Sequence, residues 1–147
     1  MEYFDLLSEQ MQATLAAANY VTPTPIQDQT LKPLLEDRDL VGIAQTGTGK
    51  TAAFAVPVIE KLLCENKKVQ AIVLCPTREL AQQTTAVFRK LSAHKPLRTV
   101  CIYGGQSPNV QIRALRAGAQ IIVGTPGRVR DMIERNVLKL ANVRVAI

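Results

Sequence analysis

The run Ala44-Gln45-Thr46-Gly47-Thr48-Gly49-Lys50-Thr51 constrains this chain more than any other stretch. It lies between an apolar, strand-like segment at residues 39–43 and a long apolar segment of helical character. Two glycines one residue apart let the backbone curl so that successive N–H groups point inward, and a helix starting beside them adds its own unpaired donors and dipole. Such a turn cradles phosphate. Lys50 can reach the β and γ phosphates of a nucleotide as a point charge, and the Thr51 hydroxyl is a hard oxygen suited to Mg²⁺. The general pattern asks for Gly where this chain has Ala44, but the strand before and the helix after are the context the motif requires. A turn that only ended a strand would have no need of Gly-Lys-Thr.

Taken in order, the chain alternates between two periodicities. Met11, Leu15 and Ala18 repeat at helical spacing behind Ser8, which can cap a helix over residues 8–18. Residues 21–27 contain Pro23 and Pro25, and residues before proline avoid the α region, so an extended connection is expected. Pro25 suits the first position of a helix capped by Thr24 and running to about Leu35. Gln27 stands three after Thr24, so the pair can form a capping box without any ligand. Residues 51–63 predict a helix apolar on nearly all sides, kinked at Pro57. Residues 69–75 are a buried strand interrupted only by Gln70; Thr77 can cap a helix over residues 78–91. Residues 98–103 predict a strand ended by Gly104-Gly105, then a helix with Ser107 as cap, Pro108 first and Gly118 as its stop. Residues 120–123 form a further strand, 125–128 its exit loop, 129–134 a short helix, and 143–147 a fifth strand. This rhythm argues for one α/β domain built on an open parallel sheet with right-handed crossovers.

At 147 residues and 47% hydrophobic content the chain can bury a real core as one domain. No apolar run of about 18 residues is present and Met1-Glu2-Tyr3 opens no signal peptide, so a soluble, cytoplasmic protein with no membrane partner is expected. Cys64, Cys75 and Cys101 form no close pair and read as reduced thiols, and His94 stands alone with no metal role. The net charge of +6 is unevenly spread. Residues 1–88 hold 7 Lys/Arg against 10 Asp/Glu, net −3, and residues 89–147 hold 11 against 2, net +9. The second part is the candidate face for a polyanion, although a solvated basic surface would look the same.

In open parallel sheets ligands gather at the carboxyl ends of the strands. Every punctuated loop here falls at such an end: residues 44–51, 76–79, 104–105 and 125–128. Each offers backbone N–H groups, a hydroxyl or an arginine, which suit phosphate oxygens of a nucleic-acid strand. With no Trp, three Phe and three Tyr, the chain lacks an aromatic platform for stacking bases, so contact with the sugar-phosphate backbone is expected.

These motifs resemble those of DEAD-box ATP-dependent RNA helicases. Residues 22–27, Thr-Pro-Thr-Pro-Ile-Gln, are similar to the adenine-reading Q motif, and residues 44–51 to motif I, where Ala at 44 is usual. Residues 76–81, Pro-Thr-Arg-Glu-Leu-Ala, are similar to motif Ia, and residues 125–128, Thr-Pro-Gly-Arg, to motif Ib. The resemblance covers the whole chain in family order. It implies a RecA-like, parallel-sheet P-loop three-layer sandwich, incomplete, with the Q-motif region at residues 1–36. It implies ATP and Mg²⁺ as cofactors: Gln27 on adenine, Phe4 and Tyr20 walling the base with Thr22 nearby, and Gln45, Thr46, Gly47, Thr48, Gly49, Lys50 and Thr51 around phosphates and metal, Lys50 and Thr51 being catalytic. It also implies RNA as partner, gripped by Thr77, Arg78, Gly104, Gly105, Thr125, Pro126, Gly127 and Arg128. Asn19 stands where the family often has Gly, and Phe4 lies nearer the Q motif than usual.

The resemblance also marks what these residues do not contain. The strand matching residues 143–147 leads in the family into the Asp-Glu-Ala-Asp motif that holds Mg²⁺ and positions the attacking water. That motif, the Ser-Ala-Thr element and the second RecA-like domain are not among the 147 residues. The Ser-Ala-Thr strand would stand between the phosphate-loop strand and the last one seen here, so a gap or an exposed edge in the sheet is expected.

Overall fold

The structure, a computed structural model, describes residues 2–147; Met1, and with it the start of the segment inspected for a signal peptide, lies outside the described residues. The elements are α1 (Glu2–Asp5), α2 (Glu9–Ala17), α3 (Pro25–Leu35), α4 (Lys50–Lys61), β1 (Ala71–Leu74), α5 (Arg78–Leu91), β2 (Thr99–Ile102), α6 (Pro108–Arg116), β3 (Ile121–Gly124), α7 (Pro126–Glu134) and β4 (Val145–Ala146). They divide into two compact units, one of residues 1–62 with 90–95, the other of residues 63–89 with 96–147.

The first unit is helical. Ser8 caps α2 by accepting the Met11 N–H at 3.2 Å, and its own N–H and hydroxyl are held by the Glu60 carboxylate at 2.8 and 2.9 Å. Helix α2 ends at Asn19 with φ of +66°, a left-handed conformation that Asn tolerates better than most residues. Helix α3 packs against α4, and Leu31, Met11, Leu15, Val56 and Ile59 are fully buried. Helix α4 continues through Pro57, which lies within it. The strand expected at residues 39–43 does not form: no strand pairs with it among the described residues, and Val41 and Ile43 are 90% and 91% exposed. An apolar run becomes a strand only when a neighbour accepts its backbone hydrogen bonds.

The second unit carries a four-stranded sheet in the order β2-β3-β1-β4, every pair parallel. Register places Ala71 beside Ile121 and Thr99 beside Ile121 on the other side. Ile72, Val100, Ile102 and Ile122 form one core with Leu115 of α6 and Val129 and Met132 of α7. Gln70, the polar break in a buried run, is 1% exposed. Its carboxamide accepts the Leu63 N–H at 2.9 Å and donates to the carbonyls of Leu63 and Asn66, both at 2.8 Å, so it pins the turn that enters β1. The expected strand at residues 143–147 is confined to Val145–Ala146 at the sheet's edge. The expected exit loop at residues 125–128 is shorter than the sequence suggests, because Pro126 already starts α7 with Thr125 as its cap. Proline fits there since a first-turn residue needs no N–H bond.

Candidate functional site

Two groups of residues deserve the name, one in each unit. In the first, Gly47 and Gly49 both adopt positive φ, +82° and +83°, and Gly49 is the left-handed cap from which α4 starts. The loop closes on itself: the Thr48 hydroxyl donates to the Gln45 carbonyl and the Lys50 ammonium to the Ala44 carbonyl, both at 2.6 Å. Lys50 is exposed and Thr51 half-buried on the first turn of α4.

Gln27 is 4% exposed, and both ends of its carboxamide are engaged. Its Oε1 accepts the Thr24 N–H at 3.0 Å, the arm of a capping box, and its Nε2 donates to the Gly49 carbonyl at 3.2 Å. The Thr24 hydroxyl, turned toward the Gln27 N–H, stays outside hydrogen-bond range. Gln27 thus ties the start of α3 to the phosphate loop. Each end of a carboxamide can make two bonds, so this leaves capacity for a further partner. A Cβ added at Gly49 would stand 2.4 Å from Gln27 Nε2 and displace that carboxamide end, and the left-handed φ of +83° itself favours glycine there.

Phe4 lies in α1, half-buried, its ring edge-on to Tyr3 at 5.3 Å between centroids. Tyr3 escaped the sequence reading, since a single aromatic near a chain start carries no periodic signal. It is 4% exposed, and burial, with Asp28 and Tyr20 adding to it, pushes its hydroxyl up to about 12. Tyr3 therefore connects Phe4 to the neighbourhood of Tyr20 and α3. The Tyr20 ring carries the Lys90 ammonium 5.8 Å from its centroid. Thr22, Gln45 and Thr46 are exposed. His94, half-buried, accepts or donates at 2.7 Å with the Thr14 hydroxyl; burial lowers it from its ordinary value, with Glu60 raising and Lys95 lowering it further.

In the second unit the three expected loops follow β1, β2 and β3, and because the strands are parallel they share one end of the sheet. Thr77 caps α5, its hydroxyl accepting the Leu80 N–H at 3.2 Å. Arg78 is exposed and lies over the Tyr103 ring, 4.8 Å from its centroid. Gly105 has φ of +82°, and neither Gly104, Gly105 nor Gly127 has a neighbour within 4 Å of a Cβ built on it, so all three present bare backbone to open space. Pro126 and Gly127 are exposed, and the Thr125 side chain makes no cap bond.

Arg128 behaves differently from its neighbours. Its side chain is 11% exposed; Nη1 donates to Gln111 Oε1 at 3.0 Å, Nη2 to the Gln106 carbonyl at 2.9 Å, and Nε lies 3.7 Å from Asp131. It braces the loop after β2 against α6 and α7. Gly124 was also missed. A Cβ there would meet Ile102 Cγ1 at 2.6 Å, the Ile102 carbonyl at 2.7 Å and Val129 Cγ2 at 2.8 Å, so β2, β3 and α7 come together only across a glycine. No sequence pattern announces such a three-way contact.

A model of the DEAD/DEAH box helicase family matches residues 24–147. The chain belongs to that family. It is 45% identical over 141 residues to the DEAD-box ATP-dependent RNA helicase CshA of Streptococcus pneumoniae, covering 96% of this chain and 27% of that protein. To the ATP-dependent RNA helicase CshA of Limosilactobacillus reuteri it is 44% identical over 148 residues, covering 100% of this chain and 30% of that one. Among solved structures, that of a DEAD box protein from the hyperthermophile Methanococcus jannaschii superposes with a TM-score of 0.90 at 41% identity, over 95% of this chain and 38% of the other. The chain thus spans 27% to 30% of the two curated relatives. It is part of the first RecA-like domain of a DEAD-box protein, an α/β fold on a parallel sheet.

Proposed function

We propose that the intact protein is an ATP-dependent RNA helicase, hydrolysing ATP to separate short RNA duplexes, and that these residues supply its phosphate loop and half of its RNA cleft. Family membership supports the reading. The observation that carries it is the shared end of three parallel strands, where Thr77, Arg78, Gly104, Gly105, Thr125, Pro126 and Gly127 lie exposed or half-buried on consecutive loops. These groups are hydroxyls, one guanidinium and bare N–H groups, including those at the start of α7, and they match phosphate oxygens rather than base edges. Arg128 holds that surface in shape from within, and contacts RNA through the backbone of its first helical turn.

In the nucleotide loop, Lys50 would exchange the Ala44 carbonyl for the β and γ phosphates, and Thr51 would offer its hydroxyl to Mg²⁺. Among the described residues no group of three or more His, Cys, Asp or Glu could hold a metal ion. Mg²⁺ would therefore rest here on Thr51 and the phosphates alone, and no catalytic step is assigned to it. Gln27 would read adenine with the capacity its two internal bonds leave, with Phe4, Tyr20 and Thr22 beside the base. Three free thiols, Cys64, Cys75 and Cys101, accord with a cytoplasmic setting, and no helix among the described residues is long and apolar enough to cross a membrane.

The test is RNA-stimulated ATPase and duplex separation by the full-length protein, with Lys50→Ala as control. RNA-dependent turnover abolished by the substitution is the expected result. Nucleotide and RNA binding with no turnover in the full-length protein would leave a binding module instead.

A further inference from the structure

A cavity of about 370 Å³ opens in the second unit between α5, β2 and α6, lined among others by Arg89, Arg98, Thr99, Tyr103, Gln106 and Gln111. It is of a size that holds a small ligand or one nucleotide unit. No Asp or Glu lines it, and two arginines do. Arg98 is exposed and makes no ion pair among the described residues. Arg89 is oriented by a bond from Nη2 to the Thr99 carbonyl at 3.0 Å. The Thr99 side chain is buried, and its hydroxyl finds no partner among the described residues, a rare condition.

Strand β2 is an outer strand of the sheet, and an open strand edge often recruits a peptide. Here that use is restricted. The carbonyls of Arg98 and Ile102 face β3, so those of Thr99, Cys101 and Tyr103 face outward by alternation, and the first and last are already taken, by Arg89 and by Gln111 Nε2 at 3.0 Å, which leaves the Cys101 carbonyl alone between them. What remains is positive charge with amides and hydroxyls, the complement of a phosphate on a sugar. The cavity is also joined to the loops already described. Tyr103 lies under Arg78 and takes a bond from Gln82 Nε2 at 3.2 Å on its hydroxyl, and Gln106 and Gln111 accept the two hydrogen bonds of the Arg128 guanidinium.

We propose that this cavity is an additional seat for the RNA strand, taking one phosphodiester of a nucleotide outside the stretch held by residues 77–78, 104–105 and 125–127, with Arg98 and Arg89 on its oxygens. The proposal rests on the RNA reading of those loops. It is tested in the full-length protein by fluorescence anisotropy with oligouridylates of increasing length at several salt concentrations. Arg98→Gln is expected to weaken binding of long oligomers about tenfold and to lower the salt slope by about one, while leaving the shortest bound oligomer unaffected. Arg98→Lys should recover most of the loss. Arg78→Gln should weaken every length. Unchanged binding by Arg98→Gln at all lengths, with Arg78→Gln weakened, overturns the cavity proposal and leaves the RNA reading standing. Equal loss at every length by Arg98→Gln also overturns it, since the contact would then belong to the core grip. No effect of Arg78→Gln or Arg98→Gln at any length overturns both. Arg98 is exposed and pairs with no acid among the described residues, so thermal unfolding of its variants should match the parent and exclude misfolding as the cause.

Discussion

The two units of this chain hold their functional groups in different ways. In the unit of residues 63–89 and 96–147, the loops that face a ligand hang from a sheet whose strands are paired, whose core is closed by α6 and α7, and whose turns are braced by Arg128, Gln70 and Gly124. In the unit of residues 1–62 and 90–95, the phosphate loop is preceded by an unpaired apolar segment and keeps its shape through its own bonds, Lys50 to Ala44, Thr48 to Gln45 and Gln27 to Gly49. A surface that holds a polymer needs fixed spacing between several loops, which a sheet provides. A loop that wraps one phosphate group needs only local curvature. The difference teaches that loops spaced by a paired sheet and a loop shaped by its own bonds are two separate ways of holding groups in place within one chain.

The largest effect expected from this contrast is in catalysis. Residues 1–147 alone should hydrolyse ATP about 10³-fold or more below the full-length protein proposed above, because the Asp-Glu-Ala-Asp carboxylates are not among them, and neither is the arginine finger that the resemblance places in a second domain. In the full-length protein Lys50→Ala should cost about 10²- to 10³-fold in RNA-stimulated turnover, with nucleotide-free RNA binding unchanged. Comparable turnover by residues 1–147 would break the comparison at its root.

Hydrogen exchange separates the units next. In residues 1–147 the amides of residues 40–43 should exchange with almost no protection, whereas those of Val100, Ile122 and Val123 should approach the protection set by global unfolding. Similar protection in both places would mean that the phosphate-loop segment finds a partner strand in solution.

A pair of glycines sharpens the picture inside the second unit. Gly124→Ala should cost about 1 to 3 kcal/mol of stability through overpacking against Ile102 and Val129, read as a lowered denaturant midpoint. Gly127→Ala, with open space around it, should stay within about 0.5 kcal/mol. Equal costs would show that the close approach at Gly124 relaxes.

The smallest effect belongs to His94 in the first unit. Its folded value lies below the ordinary 6.5, so as pH falls below that point the unfolded chain gains a proton that the folded chain resists. Stability should be full above the ordinary value and decline on acidification through the lowered one. His94→Gln should flatten this dependence, seen in unfolding midpoints measured across that range.

Legibility followed the range of the interaction. Helix starts written in local chemistry, such as Ser8, Thr24 with Gln27, Ser107-Pro108 and Thr77, lie where the sequence places them, because a cap is complete within a few residues. The departure at Asn19 resolves equally locally, as a left-handed turn. The apolar run at residues 39–43 suggests a strand that does not form, because pairing depends on residues elsewhere in the chain, whatever the hydrophobicity of the run. The resemblance groups Arg128 with the residues on RNA, whereas Gln111 and the Gln106 carbonyl, which no spacing rule connects, turn its side chain inward. Tyr3 and Gly124 matter only through what folds against them.

The order of the strands has a consequence for how the chain is made. Strand β1 lies between β3 and β4, and Ala71 pairs with Ile121 and Val145. Its central partner is therefore synthesised some fifty residues after it, a delay of roughly 3 to 10 s at ribosomal speed. During that interval α5 can form from local contacts while Ile72 and Val73 have no strand to join. The sheet that carries the loops at residues 76–79, 104–105 and 125–128 must assemble late, around a strand that waits, and early protection of this apolar segment in the nascent chain becomes a condition of a good yield.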